Sequence, residues 1–180
     1  MEIETYQTSR LQLRKFTPEV YHQLFSNYSA PEIKEIIRLE TEEQYQKLLQ
    51  KYEGGLAGYN RSLVTFQLIE RKSNAVIGAC GFHNWYADHR RAELGYHLDK
   101  DEFKQQGFMK EAIAFVLQYG FGEMDLHRVE ALVSPNNEPS LKLVKHFGFQ
   151  EEGLLKEHYF INDKFEDSLI FGLLQNNFKA

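Results

Sequence analysis

Cysteine is almost missing from this chain: Cys80 is the single one in 180 residues. No internal disulfide can therefore form, and a disulfide-stapled secreted domain is excluded. Long apolar runs are also lacking, since none approaches the ~20 residues that cross a bilayer as a helix. The opening Met1-Glu2-Ile3-Glu4 is acidic and lacks the basic-then-apolar profile of a secretory leader, so a cytoplasmic location is expected. Basic residues are outnumbered, 21 against 26 acidic, for a formal net charge of -5. That balance argues against a broad nucleic-acid-binding face and tilts the surface towards cationic partners such as amines. Repeats, low-complexity tracts and Pro/Ser-rich linkers are absent, which reads as one domain spanning residues 8–175.

What is present is an ordinary globular composition, 42% hydrophobic and 26% charged. Arg10-Leu11-Gln12-Leu13-Arg14 alternates polar with apolar residues, as a half-buried strand does. Thr17-Pro18-Glu19 has the N-cap and first-turn proline of a helix start. Thr41 to Gln44 forms a capping box, opening a helix that Gly54-Gly55 ends. Between Ala30 and Asn60 there is no other strong signal. Further strands are expected at 63–69, 76–85, 92–98 and 129–133, then near 152–161 and 166–174 across an Asn162-Asp163 turn. Met109, Ala112, Ile113, Val116 and Leu117 recur at helical spacing. A second late helix carries Leu141, Val144 and Phe147 and stops at Gly148. The expected fold class is α+β: a mixed, mostly antiparallel seven-stranded sheet flanked by helices.

Lys104-Gln105-Gln106-Gly107-Phe108-Met109 carries the first chemical signal, because it joins a strand to a helix. A helix N-terminus offers unpaired N–H groups and partial positive charge, so a glycine there can bring a diphosphate close. Lys104 would add a cation, and the glutamines neutral donors. The same residues equally describe a plain helix start, and the Gly-Lys-Ser/Thr of a nucleotide P-loop is missing. His83, Asp88 and His89 fit no common metal spacing, so no metal is expected. Cys80 reads as a small buried hydrophobe. Trp85, Tyr86 and Tyr159 read as acceptor-pocket walls or as core.

Taken together, several motifs resemble the GNAT superfamily of N-acetyltransferases. They are the Lys104–Met109 loop, Asn137-x-x-Ser140 opening the next helix, and Gly148-Phe149 closing it. Arg10-Leu11-x-Leu13-Arg14, Ile77-Gly78, Glu93-Leu94-Gly95-Tyr96, Glu111-Ala112 and the acidic turn at 162–167 are similar to the ribosomal-protein alanine/serine branch. Three departures stand out. Lys104 replaces the usual Arg or Gln, Met109 the usual Gly or Ala, and the connection from Leu98 to Gly107 is one residue longer.

The resemblance implies acetyl-CoA as co-substrate and direct attack by a primary amine in a ternary complex. That amine would be a ribosomal-protein N-terminus or a small amine. It implies a splayed strand at Tyr96, His97 and Leu98 that binds the pantetheine arm, with Lys104 to Met109 and Asn137 completing the cofactor site. Glu93 is the first candidate for the base and His83 the second; Glu93 also reads as a carboxylate paired with Arg90 or Arg91. The family's usual acid, a tyrosine seven residues beyond the motif asparagine, is here Val144. Ser140 is the substitute from the resembling branch, or a simple helix cap, and Tyr159 a lesser alternative. Residues 25–60 are expected to wall the acceptor site, and a homodimer is compatible with the branch. Competing readings are a small-amine acetyltransferase for polyamines, amino acids or antibiotics, a silent acyl-CoA-binding domain, and a nucleic-acid-binding module. The last is disfavoured by charge.

Overall fold

The computed structural model describes residues 1–56 and 62–179; residues 57–60, part of the expected acceptor wall, lie outside them. Among the described residues, eight strands form one sheet. They are β1 (Thr5–Gln7), β2 (Leu11–Phe16), β3 (Ser62–Glu70), β4 (Val76–Tyr86), β5 (Arg91–Leu98), β6 (Arg128–Val133), β7 (Gln150–Ile161) and β8 (Lys164–Leu174). Their order is β1-β2-β3-β4-β5-β6-β8-β7. The strand beyond the expected seven is β1, three residues paired with β2 from Thr5↔Arg14 to Gln7↔Gln12. Three residues are too few to show an alternation.

Five α-helices among the described residues complete the fold: α1 (Pro18–Asn27), α2 (Ala30–Ile37), α3 (Glu42–Glu53), α4 (Phe108–Gly122) and α5 (Glu138–His146). Thr17 caps α1, accepting from the Val20 N–H, and Thr41 and Gln44 close the capping box of α3. α2 answers to no motif used above, although its signal is present. Glu32 accepts from both the N–H and the hydroxyl of Ser29, three residues earlier. Gly148, at φ +82°, ends α5 in the left-handed region. Asn162 and Asp163 both take positive φ, as a two-residue hairpin with right-handed strand twist requires.

Strand alternation sorts the sheet's side chains into two faces. On one, Leu13, Phe66, Cys80, Phe82 and Leu94 pack against Ala112, Ile113, Val116 and Leu117 of α4. On the other, Phe16 and Leu63 join Tyr21 and Leu24 of α1, Ile33 and Ile37 of α2, and Tyr45 of α3. Among the described residues, no helix is long and apolar enough to cross a membrane.

One irregularity positions everything that follows. Each neighbouring strand pair is antiparallel except β5–β6, which runs parallel. That pairing covers Arg91↔Arg128, Ala92↔Val129 and Glu93↔Glu130 and then stops, while β5 continues to Leu98. The two strands diverge after Glu93, opening a cleft in the middle of the sheet.

Candidate active site

Glu93 stands at the last paired position before the cleft, its side chain only 12% exposed. His83 is its cross-strand partner on β4, and His83 Nε2 lies 3.1 Å from Glu93 Oε1. A register shift between His83 and Tyr86 puts Asn84 at φ +48°, from where its amide donates to Glu93 Oε2 at 2.9 Å. Burial pushes the Glu93 pKa up. The hydrogen bonds from His83 and Asn84, and the positive charge that His83 and His158 can carry, outweigh it and hold the carboxyl below its ordinary range. The alternative pairing of Glu93 with Arg90 or Arg91 does not occur, since Arg90 pairs with Asp125 and Arg91 with Glu130.

Gly95 makes the His83 placement possible. A Cβ there would lie 2.9 Å from His83 Cε1 and 3.0 Å from Nδ1. The ring therefore folds over a bare stretch of strand, with Nε2 turned to Glu93 and Nδ1 left over Gly95.

Two residues of β7, beside the register shift between Leu155 and Tyr159, lie within electrostatic reach of this cluster. The charge of His158 lowers the Glu93 pKa, and Glu93 in turn raises that of Tyr159 after burial. His158 is anchored by Nδ1, 3.2 Å from the hydroxyl of buried Ser168. Asn84, His158 and Tyr159 thus flank the pair. Tyr159 was read as a wall or a lesser acid, while Asn84 and His158 carry no sequence motif at all.

The opposite face of β5 carries Tyr96 and Leu98. The Tyr96 hydroxyl is buried and has no hydrogen-bond partner among the described residues. Burial raises its pKa, opposed by the nearby Ser140 hydroxyl, which stops short of hydrogen-bond geometry. Ser140 sits in the first turn of α5, its N–H donating to Asn137 Oδ1 at 3.2 Å. Asn137 is thus the N-cap of α5.

Beyond Leu98, a groove of about 350 Å³ runs between the start of α4 and α5. Leu98, Gln105, Gly107, Phe108 and Met109 line one side; Lys110, Pro139, Lys142, Leu143 and His146 complete it. Gly107 is the N-cap of α4 at φ +79°, a left-handed conformation suited to glycine, and no side chain caps the first-turn amides. Arg10 braces this turn. Its Nη1 donates to the Gln106 carbonyl at 2.8 Å and its Nε to Glu111 Oε2 at 2.7 Å. Glu111 also accepts from Thr8 and from the Arg10 N–H.

Not all expected cofactor residues face this groove. Lys104 pairs with Asp101 at 2.5 Å, and the Gln106 side chain turns back to the Glu102 carbonyl. His97 points to the face opposite Tyr96, 3.3 Å from Asp99. There it floors a second cavity of about 370 Å³ beneath α3, together with Ala79. Among the described residues, Arg38, Lys47, Lys51 and Lys100 line that cavity against Glu40 and Asp99. Cys80 is buried and its thiol pKa is pushed well up by burial, as for an inert core thiol. Among the described residues, no three His, Cys, Asp or Glu side chains are grouped to hold a metal ion.

A parallel pair that parts in mid-sheet thus has a His–Glu pair on one side and a helix N-terminus on the other, an arrangement that suits acyl transfer. Comparison with known proteins agrees. Residues 10–150 match the acetyltransferase (GNAT) domain, and the chain belongs to that family as an N-acetyltransferase. It is 34% identical over 98% of its length to the uncharacterized N-acetyltransferase p20 of Bacillus licheniformis, covering 99% of that protein. The spermidine N(1)-acetyltransferase of Escherichia coli is 27% identical over 51% of this chain and 49% of its own. The structure of a ribosomal-protein-S5-alanine acetyltransferase from Vibrio fischeri superposes with TM-score 0.68 at 20% identity, over 98% of this chain and all of that one. Members of the family take their acetyl group from acetyl-CoA.

Proposed function

We propose that this enzyme moves acetyl from acetyl-CoA to the α-amine of a peptide N-terminus, by direct attack in a ternary complex. The observation that carries the reading is the parting of β5 from β6 just after Glu93. It leaves the His83–Glu93 pair on one face and Tyr96 with Ser140 on the other.

The residues present fit acetyl-CoA. The uncapped amides after Gly107, the cations Lys110 and Lys142 and the His146 ring suit its phosphates. The backbone of Tyr96, His97 and Leu98, released from β6, suits the pantetheine amides, and Asn137, the N-cap of α5, is the further residue we assign to the cofactor. Gln105, Phe108 and Met109 line the groove; Lys104 and Gln106 would join by leaving exposed local partners, which hold weakly. Acetyl-CoA would supply the acyl carbon and a leaving thiolate stable enough to depart without strong acid help. Ser140, in the first turn of α5, is the residue we assign to the departing thiol.

His83 takes the amine's proton and Glu93 holds His83. A carboxyl held below its ordinary range is a poor match for an α-ammonium at about 7.8, whereas an imidazole is the side chain whose ordinary range comes nearest to it. The lowered pKa of Glu93 therefore suits orientation better than proton abstraction.

The same comparison favours an α-amine over a polyamine, whose amines resemble lysine at about 10.4. The second cavity agrees, because four cations against two acids repel a polycation. A spermidine acceptor is the second reading, supported by the half-length similarity to the E. coli enzyme. With one buried thiol and acetyl-CoA as donor, the cytoplasm is the compartment this reading implies. A thiol-release assay with acetyl-CoA decides between acceptors. Peptides beginning with alanine or serine should turn over and spermidine should not; the reverse result overturns the α-amine reading.

A further inference from the structure

The Tyr96 hydroxyl is a buried polar group left over by the fold. A buried hydroxyl without a partner is unfavourable, and native structures leave few of them unless a ligand or water completes the bond. Tyr96 lies on the length of β5 that β6 has released, and its neighbour Ser140 stands in the first turn of α5. The hydroxyl therefore sits between the strand and the helix that bound the cofactor cleft. Val144, further along α5, is a hydrocarbon and offers no donor there. The cross-strand partner Cys80 stays a neutral thiol, so no local anion claims the Tyr96 proton.

We propose that the Tyr96 hydroxyl donates a hydrogen bond to the thioester sulfur and stabilises the charge gathering on it. The assignment makes Tyr96 a catalytic residue and rests on the acetyl-transfer reading above. The amine nitrogen bonds to the carbonyl carbon, the carbon–sulfur bond breaks, and its electron pair goes to sulfur. Tyr96 keeps its proton throughout. Burial disfavours tyrosinate, so the group remains a donor across the working pH range. The acceptor arrives as an ammonium and gives up two protons: one goes to solvent through His83 before attack, and the other, lost from nitrogen after attack, ends on sulfur to give the thiol. A donor already desolvated and in place needs no reorganisation as the charge forms.

The test compares wild type with Tyr96→Phe, which removes one oxygen and nothing else. Calorimetry at alkaline pH measures coenzyme A and desulfo-coenzyme A, the analogue with hydrogen in place of the thiol. Wild type should prefer coenzyme A by about tenfold, the scale of a hydrogen bond to a charged group. Tyr96→Phe should bind both alike, at the wild-type desulfo affinity, and transfer acetyl about tenfold more slowly or worse. Its melting temperature should equal or exceed that of wild type, because an unsatisfied hydroxyl has been removed. The proposal is overturned if the variant keeps the sulfur preference, if both affinities fall together, or if the melting temperature drops. It is equally overturned if wild type binds both ligands alike. Wild type that binds neither would remove the cofactor reading itself, a result distinct from all of these.

Discussion

His83 reaches Glu93 across a glycine. The 3.1 Å contact between Nε2 and Oε1 exists because Gly95, two residues after Glu93, leaves room under the ring. Gly95→Ala would put a methyl 2.9 Å from His83 Cε1 and turn the imidazole away from the carboxylate. The expected outcome is a fall in kcat of about tenfold or more, with acetyl-CoA affinity unchanged. Steady-state kinetics alongside calorimetry checks it, and an unaltered kcat would separate the dyad from the reaction.

Glu93→Gln keeps the shape of the side chain but not its charge. We expect acetyl transfer to slow about a hundredfold while acetyl-CoA affinity stays within a factor of two. The pH–rate profile should change shape as well, because the side chain that faces His83 no longer ionises. An unchanged profile would remove Glu93 from the proton path.

Stability in acid follows from the same carboxyl. Its pKa in the fold lies below the ordinary 4.5, so its ionised form stabilises the native state above that value. That contribution is lost as pH falls from about 4.5 through the lower folded value. The melting-temperature gap between wild type and Glu93→Gln should therefore narrow below pH 4.5. A gap constant from pH 7 to pH 3 would contradict the assigned charge state.

Arg10 and Glu111 lie 101 residues apart and jointly hold the Gly107 turn. Arg10→Ala frees the Gln106 carbonyl and leaves Glu111 short of a partner. Acetyl-CoA affinity should drop several-fold without any change in the pH–rate profile, since the proton-transfer side is untouched. Equal affinity in both proteins would show that the turn needs no brace.

Much of this arrangement is legible in the sequence where the physics is local. The Thr41 capping box, the positive-φ turn at Asn162-Asp163 and the apolar spacing of α4 each depend on a few adjacent residues. Glu93 and His83 were found as single candidates, but their pairing depends on strand register and on the missing Cβ of Gly95. Asn84 and His158 were missed because strand irregularities aim them, and nothing in their neighbours announces those shifts. The loop pattern makes Lys104 a phosphate cation, whereas in the fold Asp101, one turn earlier, pairs with its charge. Tyr96 was read for its backbone alone; its unpartnered hydroxyl emerges only once β5, α5 and Cys80 are packed.

The central claim is that acetyl-CoA lies in the cleft where β5 leaves β6, with its phosphates at the Gly107 end of α4. Amide 1H–15N correlation spectra recorded during an acetyl-CoA titration test it most directly. The account predicts saturable shifts at residues 94–98 and 107–110, with β2 and β3 little affected. Resonances of both segments that stay fixed at saturating acetyl-CoA would contradict it.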